Sequence, residues 1–201
     1  MTQRGTTRVD ELMPRWDRRI IRTQHVHAST ERTYAAIREV DFFDSPVIAV
    51  PNRFRVAMDR MTGPRDHDAA PQPKSFRFAQ LLEEDGGFQL LAEEGGHELV
   101  LGFIGRWWDR DYGRVEWTVD EFPRFTRPGC AKGIWGFTVL PYGADTCILV
   151  TDVRMCGTDG EGRRKLERYW ALVGRFVTAM GGPVLRLVRD QAERTPSAPP
   201  H

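Results

Sequence analysis

The chain has 201 residues, of which 40% are hydrophobic and 28% are charged, which suits one domain with a sizeable core. The formal net charge of +1 at pH 7 gives no global field that would favour nucleic acid or an anionic membrane. The polar N-terminal segment lacks the apolar stretch of a secretory signal, and dense apolar runs such as 99–104 are too short to span a bilayer. We therefore expect a cytoplasmic protein without a membrane span.

The cysteines and histidines give little support to a metal site. Cys130, Cys147 and Cys156 are odd in number, lie in strand-like segments and form no CxxC pair. This pattern favours reduced, buried thiols over disulfides or zinc ligands. His25 and His27 share a strand face and could hold a metal with a third ligand, but two exposed strand histidines are the commoner arrangement.

The N-terminal part of the chain predicts an arm, a strand and a helix. Residues 1–18 are expected to form a poorly ordered arm, and residues 19–28 alternate as a strand does. Ser29 is a suitable N-cap for a helix over residues 30–40.

The next part of the chain predicts a less regular region. Residues 47–61 fit an amphipathic helix that Pro51 must break or kink. Residues 62–75 are rich in Gly, Pro, Asp, His and Gln, which predicts a mobile loop. A short helical turn is expected over residues 76–84.

Four strand-like segments follow and predict an antiparallel meander. Residues 88–93 and 98–108 form a hairpin around the Gly95-Gly96 turn. Residues 129–140 and 146–156 form a second hairpin, because their connection is short.

A long helix is predicted near the C-terminus, before a Pro-rich tail at residues 195–201. Thr158 and Glu161 form a capping-box pattern, and Pro183 is expected to bend the helix. Apolar residues recur at steps of three and four along one helix face, namely Leu166, Trp170, Val173, Val177, Gly181, Val184 and Val188. A second stripe beside the first makes the apolar face wide and consists of Tyr169, Leu172, Phe176 and Met180. The elements together predict an α+β domain over residues 19–194, with the long helix lying across one curved sheet.

The chain resembles the SRPBCC or START-like superfamily, which includes birch-pollen-allergen proteins and bacterial polyketide cyclase/dehydratase-like proteins. The segments that carry the resemblance are ELMPRWD at 11–17, HASTERTYAAIREV at 27–40, LGFIGRWW at 101–108, FPRFTRPGCAKGIWGF at 122–137, LVTDVRM at 149–155 and RRKLERYWALVGRF at 163–176. The resemblance, which is strongest to a mostly uncharacterised bacterial branch, implies a helix-grip fold. In that fold an antiparallel sheet of about seven strands wraps around the last helix and usually encloses an apolar cavity. It implies no obligatory cofactor or metal.

Strand alternation then suggests which residues line such a cavity. If Trp135 faces the helix, Phe137 and the paired set around Thr151 face it too. Gly133 with Gly136, and Gly102 with Gly105, are expected to leave space where larger side chains would fill a core. The residues we expect to line a ligand pocket are Phe103, Trp107, Trp135, Phe137, Thr151, Arg154, Trp170 and Phe176. The alternative is a filled aromatic core with glycines at bends of the sheet.

Arg154 and Asp152 have two possible roles that depend on the strand register. They share one strand face, opposite to Thr151. Facing outward they would form an ion pair that holds the sheet together, which is the favoured interpretation. Facing inward, Arg154 could bind a carboxylate or phenolate of a ligand.

The sequence leaves three functional hypotheses open. The first is binding or carriage of a small hydrophobic or aromatic molecule. The second is a polyketide cyclase/dehydratase-like enzyme, for which Asp152, Arg154 and His97 are the available acids or bases. The third is a protein-interaction module with a filled core.

Overall fold

A computed structural model of the chain describes residues 7–41, 87–109, 113 and 115–194, together with positions 44, 77 and 82. Its elements are α1 (Arg8–Leu12), β1 (Arg18–Val26), α2 (Thr30–Glu39), β2 (Gln89–Glu94), β3 (Glu98–Gly105), a 3-10 helix (Val119–Arg124), β4 (Ala131–Pro141), β5 (Cys147–Gly157) and α3 (Gly160–Arg194). Four predicted segments lie wholly or mostly outside the described residues. They are the helix at 47–61, the loop at 62–75, most of the turn at 76–84 and the tail at 195–201.

The described strands form one antiparallel sheet in the order β1-β5-β4-β3-β2. Both predicted hairpins are present, and β1 closes the sheet at its β5 edge. Helices α2 and α3 pack on one face of this sheet. This is the α+β, helix-grip architecture that the sequence predicted, with five strands in the described part of the chain.

The face toward α3, called here the inner face, carries the larger core. Its centre consists of aliphatic and aromatic side chains from β3, β4 and β5, closed by the C-terminal half of α3 and by α2. The fully buried members of this core include Val26, Ile37, Leu99, Leu101, Phe137, Leu149 and Val188. The inner face therefore holds the core at the C-terminal end of α3.

The opposite, outer face of the sheet is also covered. Helix α1 and the 3-10 helix bury Val100, Ile104 and Ile134 beneath Val9 and Phe122. The arm that we expected to be poorly ordered is therefore part of the folded structure from Thr7 onward.

Close contacts with α1 and with the neighbouring strand β2 explain two of the strand glycines. A Cβ at Gly136 would come within 2.3 Å of Val9 Cγ2, and one at Gly102 within 2.6 Å of Leu91 Cδ1. The expectation that these glycines leave a cavity open is wrong. Neighbouring side chains occupy the space instead.

Arg154 fastens α1 to the outer face. Its side chain is 1% exposed and donates to Asp152 Oδ2 at 2.8 Å, to Asp10 Oδ1 at 2.5 Å and to the Met13 carbonyl at 2.9 Å. Arg19 donates to the same Asp152 carboxylate from the neighbouring strand, with both oxygens engaged. A buried guanidinium with this many acceptors is satisfied structurally, so the favoured sequence interpretation of Arg154 agrees with its position.

Glu98 secures the other end of α1. Its buried carboxylate accepts from the backbone N–H groups of Arg8 at 2.9 Å and Val9 at 3.3 Å. These are donors of the first helical turn, which lack partners within the helix. A side chain from β3 therefore completes the cap that Thr7 begins, since the Thr7 hydroxyl accepts from Asp10 N at 3.2 Å.

The start of α3 differs in detail from the predicted capping box. The helix begins at Gly160, and the Asp159 carboxylate accepts from Gly162 N at 2.7 Å and from Gly129 N at 3.2 Å. Thr158 instead bonds to Cys130, and Glu161 pairs with Lys165. The cap is one residue later than predicted because Thr158 serves the neighbouring strand.

Helix α3 runs without interruption through Pro183 to Arg194. Its length and composition would also allow it to cross a membrane, which we did not expect from the shorter apolar runs. Core helices can have the same length and composition, and both ends of α3 are buried against the sheet through Leu166, Val184 and Val188. We therefore describe α3 as the core helix of this domain.

Replacing Arg154 should destabilise the protein strongly. Arg154→Met keeps the approximate volume but leaves Asp10, Asp152 and the Met13 carbonyl short of a buried donor, which we expect to lower the free energy of unfolding by about 3–5 kcal/mol. Urea denaturation measures this difference. Arg8→Gln, which breaks an exposed ion pair with Glu11, is the control and should cost less than about 1 kcal/mol. A loss below about 1 kcal/mol for Arg154→Met would contradict the role given to Arg154.

The Asp10 contact should appear as a pH-dependent contribution to stability. The hydrogen bond from Arg154 lowers the pKa of Asp10, so the stabilisation is present above the unfolded pKa of about 3.9 and is lost as pH falls through the folded value. The free-energy difference between wild type and Asp10→Asn should therefore shrink as pH falls below about 4. Asp145→Asn, at an exposed turn, should show no such trend. A difference that stays constant down to acid pH would argue against the contact.

Candidate functional site

A row of aromatic side chains crosses the inner face of β3 and β4. The Trp135 ring lies 5.0 Å from Phe137 and 6.2 Å from Phe88, measured between ring centroids. Phe88 lies 5.1 Å from Phe103, which lies 5.2 Å from Trp107. In each pair the two rings are tilted relative to each other, as is typical of favourable aromatic pairs. Four of these rings are only partly buried, and they are called here the aromatic row: Phe88, Phe103, Trp107 and Trp135.

Strand pairing explains why these residues meet. Trp135 is paired with Leu101 on β3 and with Val153 on β5, and Phe137 is paired with Thr151. Residues paired directly across strands share a face, so the predicted inner-face set is brought together by register.

The exposure of the aromatic row differs sharply from that of its neighbours. Phe137, Leu99 and Leu101 are each 0% exposed, whereas Trp135 and Phe103 are only partly buried. Trp107 and Phe88 are also partly buried. A row whose rings remain partly accessible beside a closed core presents apolar surface that a ligand could cover.

One polar group stands within this apolar surface. Trp135 Nε1 donates to Thr151 Oγ1 at 2.9 Å, and the Thr151 hydroxyl donates to the Gly136 carbonyl at 3.1 Å. The indole is therefore held in one orientation by a buried hydroxyl. Thr151 acts on the site by fixing Trp135.

A neighbouring side chain fills the space beside Gly133, as at the outer-face glycines. A Cβ at Gly133 would come within 2.5 Å of Phe103 Cζ, because the Phe103 ring lies over its cross-strand partner. The space next to Gly133 is filled by an aromatic ring of the row. The expected gap at Gly133 is therefore wrong.

Helix α3 adds Trp170 to the site but places Phe176 elsewhere. Trp170 packs in one cluster with Phe103 and Trp107 around buried Leu166. Phe176 is 40% exposed and lies on a different side of the helix. The wide apolar face predicted for α3 is therefore only partly used in packing.

The structure brings six of the eight predicted pocket residues to the inner side. These six are Phe103, Trp107, Trp135, Phe137, Thr151 and Trp170. Arg154 lies on the outer face beneath α1, and Phe176 faces partly into solvent. Phe88 was missing from the prediction, although its alternation with Leu90 after Gly87 was a usable signal.

A second group that the sequence did not reveal lies at the β2 edge of the inner face. Tyr34 Oη donates to Glu93 Oε1 at 2.6 Å, and Arg38 forms an ion pair with the same oxygen. Burial, followed by this hydrogen bond, raises the pKa of Tyr34, and the hydrogen bond from Tyr34 lowers the pKa of Glu93. Tyrosine stays neutral and glutamate stays ionised, so the group holds α2 against β2 and is poorly suited to proton transfer near neutral pH.

The described residues contain no group of three or more His, Cys, Asp or Glu side chains that could hold a metal ion. His25 and His27 stack edge to face with ring centroids 4.5 Å apart, and Tyr142 lies 5.7 Å from His25. The three cysteines are free, and burial raises the pKa of the Cys147 thiol, which makes it a poor nucleophile.

Comparison with solved structures finds several proteins of similar architecture. A Mesorhizobium loti protein, MLL2253, is 14% identical with a TM-score of 0.42, over 90% of this chain and 100% of that one. Norcoclaurine synthase from Thalictrum flavum, in complex with dopamine and hydroxybenzaldehyde, is 10% identical with a TM-score of 0.37, over 90% and 89%. The Zhui aromatase/cyclase from Streptomyces sp. R1128 is 14% identical with a TM-score of 0.30, over 88% and 94%.

No family model and no curated protein matches the chain. Structural similarities at these identities and TM-scores carry no functional argument. The helix-grip fold therefore rests on the element order and sheet topology of the chain itself, and at that level the resemblance expected from the sequence is confirmed.

Loss of the Thr151 hydroxyl should free the Trp135 ring. Thr151→Val leaves the indole N–H without its partner, which we expect to lower the free energy of unfolding by about 1–3 kcal/mol. Thr151→Ser keeps the hydroxyl and is the matched control for the hydrogen bond. Chemical denaturation of both variants measures the difference. Equal stability of the valine and serine variants would show that the hydrogen bond does not hold Trp135.

Proposed function

We propose that the protein binds a small hydrophobic or aromatic molecule on its inner face, between the aromatic row and the middle of α3. The observation that carries this proposal is the partial exposure of the aromatic row beside fully buried neighbours. A packed core would bury these rings as completely as Phe137 and Leu101 are buried.

The weak packing between the middle of α3 and β4 supports a space for a ligand between them. Helix α3 packs chiefly against β1 and β5 and much less against β4, which carries Trp135. Between the buried positions Leu166 and Val184, Gly174 is the only buried residue of the helix. A helix held at both ends and loosely packed between them leaves room for a ligand beside the sheet.

The chemistry of the aromatic row indicates the class of ligand. Each large aromatic side chain offers roughly 150–250 Å² for contact, and burial of apolar surface contributes about 25 cal/mol per Å². A flat or fatty molecule would cover several rings at once. The hydroxyl of Thr151 already serves Trp135 and Gly136, so it contributes indirectly by holding the indole in place.

Binding fits the described residues better than cyclase chemistry does. Of the three candidate acids or bases, Asp152 and Arg154 lie on the outer face in a saturated network, and His97 lies exposed in the β2–β3 turn. None of these three adjoins Trp135 on the inner face. General acid–base catalysis requires such a group within hydrogen-bonding reach of the substrate.

The proposal predicts that Trp135 is required for binding a hydrophobic probe. The fluorescent dye 1-anilinonaphthalene-8-sulfonate should bind the wild-type protein saturably, and Trp135→Ala should weaken its affinity at least about tenfold, because the central ring is lost. Fluorescence titration gives the dissociation constants. Cooperative unfolding and near-UV circular dichroism must first show that the variant is folded, since loosened proteins also bind this dye.

Trp16→Ala is the matched control for this titration. Trp16 is 40% exposed and lies on the outer side against Arg154, with 4.5 Å between the ring centroid and Arg154 Cζ. Its loss should leave dye affinity unchanged. Equal weakening by both substitutions, or no saturable binding to wild type, would overturn the proposal and favour a filled-core interaction module.

A further inference from the structure

We infer that the solvent face of α3 is a docking surface for an anionic lipid bilayer. The inference concerns the side of the helix opposite the sheet and does not depend on ligand binding at the aromatic row. The residues of this surface, called here the basic stripe, are Arg168, Leu172, Arg175, Phe176, Ala179 and Arg186.

Helical geometry places these residues on one side. At 3.6 residues per turn they fall within an arc of about 100° that extends about 27 Å along the helix. The buried positions Leu166, Gly174, Val184 and Val188 fall on the opposite side. All six members of the stripe are exposed.

The charge of the stripe is of one sign. No acidic residue occurs between Glu167 and Asp190. Near the ends of α3, arginines are paired with carboxylates, as in Arg163–Glu167 and Arg189–Asp190.

The arginines of the stripe itself have no such partners. Within the described ranges, Arg168, Arg175 and Arg186 take part in no ion pair. The net charge of the protein is close to zero, yet this helix face carries three uncompensated guanidinium groups. It is complementary to an anionic surface.

Apolar side chains alternate with these charges. Leu172 is 84% exposed and Phe176 is 40% exposed. Exposed apolar side chains flanked by arginines are the composition of helices that lie in the headgroup region of a bilayer.

A bilayer accounts for the whole stripe better than other occupants do. A second copy of the chain would bring two sets of unpaired arginines together, which is repulsive. Nucleic acid would use the arginines but would leave Leu172 and Phe176 without an apolar partner. At a bilayer surface the guanidinium groups reach the phosphates while their stems and the two apolar side chains enter the acyl boundary.

Vesicle flotation of the full chain tests this inference. The protein should float with vesicles of phosphatidylcholine mixed with phosphatidylglycerol and remain unbound with phosphatidylcholine alone. Raising the salt toward about 1 M, where the Debye length is about 3 Å, should weaken the binding. Equal binding to both vesicle types, or none, would overturn the inference.

Two variants of the basic stripe and one control variant test whether this surface binds the vesicles. Replacing Arg168, Arg175 and Arg186 together by Gln should reduce partitioning about 100-fold, at about fivefold for each arginine. The double variant L172Q/F176Q, which keeps all charges, should reduce it at least about tenfold. The control R15Q/R124Q/R127Q removes three exposed arginines outside α3 and should retain wild-type partitioning to within about twofold.

Three outcomes contradict the inference. A control that loses as much binding as the stripe variant would indicate general charge attraction. Unchanged binding of L172Q/F176Q would exclude insertion of the apolar side chains. Displacement of bound vesicles by single-stranded RNA would assign the arginines to nucleic acid instead.

Discussion

The antiparallel pairing of β4 with β5 is the constraint on which the rest of the structure depends. Trp135 is paired with Val153 and Gly136 with Asp152, so apolar and charged residues are sorted to opposite faces. A slip of one residue would exchange the faces of one strand. It would place the buried charges of β5, Asp152 and Arg154, against the aromatic row. Register therefore decides which face of the sheet carries the aromatic row.

The two faces of this sheet are covered in different ways. On the outer face, glycines allow close approach, and the buried Arg154 guanidinium joins β5 to α1 by donating to Asp10 and to the Met13 carbonyl. On the inner face, the C-terminal end of α3 closes the core around Val188, while Trp135 and Phe103 remain partly accessible. The rigid outer layer holds the strands that carry the aromatic row. Preorganised apolar surface of this kind favours binding because little ordering is required when a ligand arrives.

Much of the fold could be predicted from the sequence because its signals are local. Alternation gave the faces of β4 and β5, and the short turn fixed them as a hairpin. The features that were predicted wrongly depend on contacts between segments that are distant in the sequence. Gly136 makes room for Val9, and Gly133 for Phe103, so composition alone could not distinguish a gap from a close contact. Phe176 fits the helical period, but the width of the sheet beneath α3 decides whether it is buried.

Native mass spectrometry of gently purified protein, followed by organic extraction, tests the central claim most directly. The account predicts an added mass at one-to-one stoichiometry that releases an apolar compound on extraction. A bare protein mass that stays unchanged after incubation with a panel of hydrophobic and aromatic compounds would contradict it. In that case the aromatic row would be structural, and the role of the protein would have to lie on its surfaces.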